Sequence, residues 1–250
     1  MKRVLCWAIA LCMVLSLMPV TAHAASGSCG ETVSWSLENG VLTLSGTGDT
    51  GDYEGSTNPP WYTERSTVKQ IVVEEGITRL GHGLFAYHLN LESIMLPASL
   101  EEIGDEAFLT CSKLAGVEGG AGLRSIGASA FKGCKKLTAL ELPDTLTELG
   151  DGAMHSTGLV RITIPQGVTD LPANLFQNCY ELAQVELHDG IKTLGMNCFN
   201  GCSALTGIEL PGSIRQIPQA CFMNSGLVSM EVPYGVVVIG EQAFASCKYL

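Results

Sequence analysis

Basic residues are scarce in this chain of 250 residues: 14 Lys and Arg stand against 25 Asp and Glu. Nucleic acid and anionic membranes both need a basic surface on their partner, so the composition argues against both. Catalytic motifs are lacking too. There is no HExxH pair, no G-x-S-x-G elbow and no phosphate loop, each of which carries a particular chemistry by its spacing. His82, His88, His155 and His188 fall at unrelated positions of the repeat described below, so nothing gathers them and each is read as a surface residue. Cys198 and Cys202 have no second ligand pair at zinc spacing. No insertion is set aside to build a pocket. The chain is therefore read as having no enzyme activity, no cofactor and no metal.

What the chain does have is a period. Phenylalanine recurs at Phe85, Phe108, Phe131, Phe176, Phe199, Phe222 and Phe244, with Met154 in the one gap, at steps of 22 or 23 residues. A fixed period of this length marks a solenoid, and stacked coils make an extended surface for binding. Aligned on the residue that opens each unit, the best copy runs from Leu91 to Lys113 and reads LxxIxLPxxLxxIGxxAFxxCxx. Ile94 and Leu96 lie on one side of a strand, with period 2. Pro97 ends that strand because it lacks the ladder donor. Leu100 and Ile103 begin a second short apolar segment. Gly104, repeated at Gly81, Gly127, Gly150, Gly195 and Gly240, suggests a corner where other residues need a strained φ. The Ala-Phe-x-x-Cys stretch predicts a single helical turn, with Phe in the core and Ala against a neighbouring coil. In the two 22-residue steps, Ser156-Thr157-Gly158 and Ser225-Gly226 replace the Cys-containing corner and shorten it.

The columns Ile-x-Leu-Pro, Ile-Gly and Ala-Phe-x-x-Cys, sustained over residues 68–250, resemble the BspA-like leucine-rich repeat family of bacterial and protozoan secreted surface proteins. The resemblance implies a repeat solenoid, a leucine-rich-repeat right-handed superhelix of short β-strands with single helical turns. Individual units depart from it. Gly119-Gly120 stand for Leu-Pro, His188 for the proline, Pro172 and Pro218 for the corner glycine, and Met154 for Phe.

Three regions are expected. Residues 1–24 read as a secretory signal: Lys2 and Arg3 precede a nearly all-apolar run from Val4 to Val20, and Ala22-His23-Ala24 is an A-x-A cleavage site. The competing reading, a membrane anchor, needs about 20 apolar residues, and Pro19 breaks this shorter run. Residues 25–67 form an N-terminal β cap. Val33–Leu37 and Val41–Leu44 alternate like strands around Asn39-Gly40, a hairpin signal, and Pro59-Pro60-Trp61-Tyr62 is expected to pack the hairpin onto the first coil. The acidic stretch Gly48–Glu54 invites a calcium-loop reading but lacks the 12-residue spacing. Residues 68–250 hold eight units and the first residue of a ninth, Leu250, which suggests a longer protein.

Removing Lys2 and Arg3 with the signal leaves 12 basic against 25 acidic residues, a net charge of −13. Eight cysteines remain. Cys111, Cys134, Cys179, Cys202 and Cys247 share one core-facing column, read as a ladder of free thiols. Cys198 and Cys221 stand where other units have alanine, and either pack as small residues or form a disulfide.

In each strand the residue between the two apolar positions points outward. That column is Val72, Met95, Glu118, Glu141, Thr163, Glu186, Glu209 and Glu231. With neighbouring coils about 4.8 Å apart, Glu186, Glu209 and Glu231 are expected to form a ladder of like charges, which is destabilising unless solvent, a cation or a basic partner relieves it. The adjacent column, including Arg161, is mostly small or polar. A concave acidic strip of Glu118, Glu141, Arg161, Glu186, Glu209 and Glu231 is therefore the candidate ligand-binding surface, against a merely solvated acidic face. The family resemblance implies adhesion to host, matrix or cell-surface proteins, or to a glycan, by a secreted or wall-associated monomer. The alternative is a recognition or spacer module of a larger secreted peptidase or glycan-active enzyme whose catalytic domain lies beyond residue 250.

Overall fold

Alternating apolar residues every second position, interrupted by proline and glycine, leave the repeat no room for long helices, and the described residues fold as a β-solenoid. The computed structural model describes residues 25–55 and 57–250. The expected signal segment, residues 1–24, lies outside the described residues. Among the described residues one 3-10 turn, Tyr62–Glu64, is the only helical element.

Two sheets run along the coils. The first takes β1 (Ala25–Ser28), β2 (Val33–Glu38), β3 (Val41–Gly46), β5 (Gln70–Val73), β7 (Ser93–Leu96) and β9 (Gly116–Gly119) as neighbours in that order. The second orders β4 (Gly48–Asp49), β6 (Ile77–Leu80), β8 (Glu102–Ile103), β10 (Ser125–Ile126) and β11 (Glu148–Leu149). β2 and β3 form the expected antiparallel hairpin, and Asn39 and Gly40 both have positive φ, 51° and 81°, as a two-residue primed turn requires. β3 then pairs in parallel with β5, so the hairpin continues into the first coil. Strand β1, antiparallel to β2, was not visible in the sequence pattern.

Further along, the strands become short isolated pairs. β12 (Arg161–Thr163) pairs with β14 (Gln184–Glu186), β13 (Asp170–Leu171) with β15 (Thr193–Leu194), and β16 (Gln216–Ile217) with β17 (Val238–Ile239).

The third side of each coil holds the phenylalanines, and all but Phe244 are fully buried. Trp35 meets Trp61 edge-on with centroids 5.5 Å apart, and Trp61 stacks on Phe85 at 5.8 Å, so the Pro-Pro-Trp-Tyr segment does join the hairpin to the first coil. Phe85, Phe108 and Phe131 stack at 5.3 and 5.1 Å. Met154 interrupts the column, which resumes from Phe176 to Phe244 at 5.4 to 5.6 Å. Full burial of such a side chain contributes about 1.5–3 kcal/mol, repeated once per coil.

The Ala-Phe-x-x-Cys stretch is not a helical turn. It is a ribbon of consecutive turns in which amides alternate between two partners. Ala107, Leu109 and Cys111 donate to the residue three before, while Glu106, Phe108 and Thr110 donate to the next coil. Two residues per ribbon are left-handed, as at Glu106 (φ 55°) and Thr110 (φ 61°), and this prevents a helix from propagating. The inter-coil bond from the Phe85 amide to Ala107 O recurs at every following junction to Phe222, with Met154 in its place, at 2.8 to 3.2 Å.

The corner glycine has a different cause from the expected one. Gly104 lies outside the left-handed region, but a Cβ on it would sit 2.7 Å from Leu80 O and 2.9 Å from the Gly81 carbonyl carbon. Close approach to the previous coil, and not φ, selects glycine there.

Candidate functional site on the strand face

The outward column forms where the pattern placed it. Val72 pairs with Met95, Met95 with Glu118, and Thr163 with Glu186. Glu186 is held in place: its Oε2 accepts from Thr163 Oγ1 at 2.9 Å and its Oε1 from Gln184 Nε2 at 2.9 Å.

Beyond Glu186 the expected ladder of like charges is absent. β14 has no strand partner on its far side, and Gly207–Leu210 and Ser229–Val232, which follow it in the repeat, pair with nothing. Between them lies an open groove of about 1240 Å³ bordered by Glu186, Glu209 and Glu231, with Val185, Leu187, Ile208, Leu210 and Met230 along its walls. A second groove of about 460 Å³ follows the break between Ala139–Leu142 and β12, and it gathers Glu141, Arg161 and Glu186. Of the six candidate residues, the structure thus brings three into one groove and two into another that shares Glu186. Glu118 stands apart on β9. Like charges directly opposite in a paired ladder are unfavourable. Here the three carboxylates face water in a cleft instead.

Tyr234 also lines the large groove and is fully exposed. Sequence reasoning passed over it. The signal was its column: the residue after the strand-ending position is Ala98, Ala121, Asp144, Gln166, Asp189 and Gly212 in earlier coils, and aromatic only here.

The other candidates resolve as structural. In the Gly48–Glu54 stretch, Asp52 Oδ1 accepts from Arg79 Nη2 at 2.8 Å and from the His82 amide at 2.7 Å, and the Arg79 bond holds its carboxyl below the usual range. Asp49 accepts from Thr78 at 2.8 Å. These acids tie the N-terminal segment to the first coil. Among the described residues, no group of three His, Cys, Asp or Glu side chains is placed to hold a metal ion.

The thiols of the described residues are free and, except Cys247, buried. The column donates to backbone: Cys111, Cys134, Cys179, Cys202 and Cys247 each lie 3.0–3.2 Å from the carbonyl of Phe85, Phe108, Met154, Phe176 and Phe222 respectively. Burial raises the Cys111 and Cys221 pKa values to about 12 and pushes Cys198 upward as well. A thiol that stays protonated is neither nucleophile nor metal ligand. Thr157 and Ser225 occupy this same column in the shortened coils, so the deleted residue falls after it.

His88 begins the column and corrects its expected surface position: it is fully buried, with Nδ1 2.8 Å from Phe85 O. His82, His155 and His188 are partly exposed.

Comparison with known proteins agrees with this architecture. The family profile of the BspA type Leucine rich repeat region matches residues 61–183 and 124–250, with six copies. A leucine-rich repeat protein of T. pallidum has a solved structure that aligns with a TM-score of 0.57 at 22% identity, covering 76% of this chain and 91% of that one. The pneumococcal vaccine antigen PcpA aligns with a TM-score of 0.50 at 18% identity, over 90% of this chain and 81% of that one. Both likenesses concern the fold. No curated protein matches the sequence. With its coil columns, phenylalanine stack and profile match covering most of its length, the chain belongs to the BspA-type leucine-rich repeat family.

Proposed function

We propose that this chain is a non-enzymatic binding protein, exported to the cell surface or beyond, which adheres to a protein partner through its strand face. Export is supported by the signal-like residues 1–24. The observation that carries the binding reading is the groove of about 1240 Å³ bordered by Glu186, Glu209 and Glu231. Three carboxylates on one open face favour a basic partner surface, and attraction between complementary charges speeds its docking.

The test is titration of a lysine-rich protein or peptide against the native chain and a Glu186→Gln, Glu209→Gln, Glu231→Gln variant. Binding that is saturable, weakened by salt and abolished in the variant supports an acidic adhesion face. Equal affinity for both chains sinks it and leaves a merely solvated acidic surface.

A further inference from the structure

In a parallel ladder, successive residues of a strand turn their backbone groups to opposite neighbours. On β14 the groups directed at β12 are used: Ile164 N donates to Glu186 O at 3.0 Å, and Gln184 N to Val160 O at 3.3 Å. Val185 and Leu187 therefore present their amides and carbonyls to the other side, where no strand answers. The segment Gly207–Leu210 is the next in the repeat and keeps the apolar alternation of its paired counterparts, yet its backbone makes no hydrogen bond to protein. The two coils nevertheless stay joined elsewhere, since Phe199 N donates to Cys221 O and Gly201 N to Met223 O, both at 2.8 Å. The strand ladder is split while the solenoid is intact.

We propose that this split is a slot for one extended, basic peptide segment of a partner protein, which completes the ladder between β14 and Gly207–Leu210. The proposal rests on the acidic-face reading above and adds the mode of recognition. An unpaired strand edge is a template for a further strand, and here two edges face each other across one opening. The groove runs across three successive coils, lined by Val185, Ile208 and Met230 among others, and it is open, as a passing chain requires. Glu186 and Glu209 hold the same register position on the two edges, so an outward Lys or Arg of the inserted strand at that position lies between two carboxylates. Its next outward residue, two positions earlier, falls beside Gln184 and Gly207, where Gly207 leaves space. Tyr234 at the groove mouth offers a ring face to a further cation. A second copy of this chain is a poor occupant, because its net charge is −11.

The probes are a short acetylated peptide of alternating lysine and valine, and two versions of it N-methylated on either alternate set of amides. N-methylation removes a backbone donor and keeps every charge. An inserted strand donates to both edges, so each methylated version is expected to bind about tenfold more weakly or worse. The parent peptide should lose binding to the Glu186→Gln, Glu209→Gln, Glu231→Gln variant, and it should slow amide exchange at Leu187 and Glu209 in the native chain. Weakening by one methylated set alone overturns the slot in favour of addition to a single edge. Unchanged binding of both methylated peptides, with the glutamate dependence kept, overturns the strand insertion and leaves the acidic-face reading standing. No binding of the parent peptide overturns both.

Discussion

His88 and Cys111 share one acceptor. The Nδ1 of His88 lies 2.8 Å and the Sγ of Cys111 3.1 Å from the carbonyl oxygen of Phe85. A carbonyl only accepts, so Nδ1 carries the histidine proton, and the lone pair of Nε2 is buried without a partner. Burial drives the His88 pKa down to about 4 from 6.5.

A stability loss in mild acid follows. The unfolded chain takes up this proton as pH falls through 6.5, while the native chain resists until about pH 4. The unfolded state binds more protons across that window, so stability falls with falling pH by about 3 kcal/mol from this group. Replacing His88 by Cys, the residue of its own column, should remove that share. Denaturant titrations of both chains between pH 7 and 4 measure it, and parallel curves would contradict the assignment.

Two glycine exchanges should act in opposite directions. Gly104→Ala places a Cβ 2.7 Å from Leu80 O and should destabilise despite a favourable φ. Ala220→Gly relieves a left-handed alanine at φ 51° and should stabilise by up to about 1 kcal/mol, since the relief of 1–2 kcal/mol is partly offset by chain entropy. Thermal midpoints of the two variants decide the matter.

Phe199 is sandwiched at 5.6 Å from Phe176 and 5.4 Å from Phe222. Truncating it to alanine should cost about 3–5 kcal/mol, read from the shift of the chemical denaturation midpoint. A cost below about 1 kcal/mol would mean that the neighbouring coils close over the gap.

The order of thiol labelling is also fixed by burial. Cys247 alone of the described cysteines is partly exposed, so it should alkylate first in the native chain. The buried thiols should react only on unfolding. Peptide mapping after a short exposure to iodoacetamide reads this directly, and early modification of Cys198 or Cys221 would contradict the packing.

Much of the coil was legible because its columns have a single physical demand each. Phe108, Leu91 and Ile94 must be buried at every turn, and burial repeats with the chain. Asn39-Gly40 announced its turn for the same reason, since both residues tolerate positive φ. The turn ribbon was hidden because its demand is on backbone conformation, met by several residue types. In hindsight Gly83, Asn174 and Asn197 before the phenylalanine and Gly152 before Met154, with Gly133, Asn178, Gly201 and Asn224 after the phenylalanine, carried the signal. The glutamate column was legible, but the break beside it was not. Gln184-Val185-Glu186 pairs and Gly207-Ile208-Glu209 does not, although the apolar pattern is the same. Register along a strand is written in side chains, whereas the distance between coils depends on how whole turns stack.

Every junction from Phe85 to Phe222 is fastened at the turn ribbon, whereas several are open on the strand face. Between the coil of β14 and that of Gly207–Leu210 the second ladder lapses as well, since β15 and β16 are not paired. There the two coils are bound along one edge, as pages are along a spine, and tension along the axis falls on the turn ribbon and the aromatic stack.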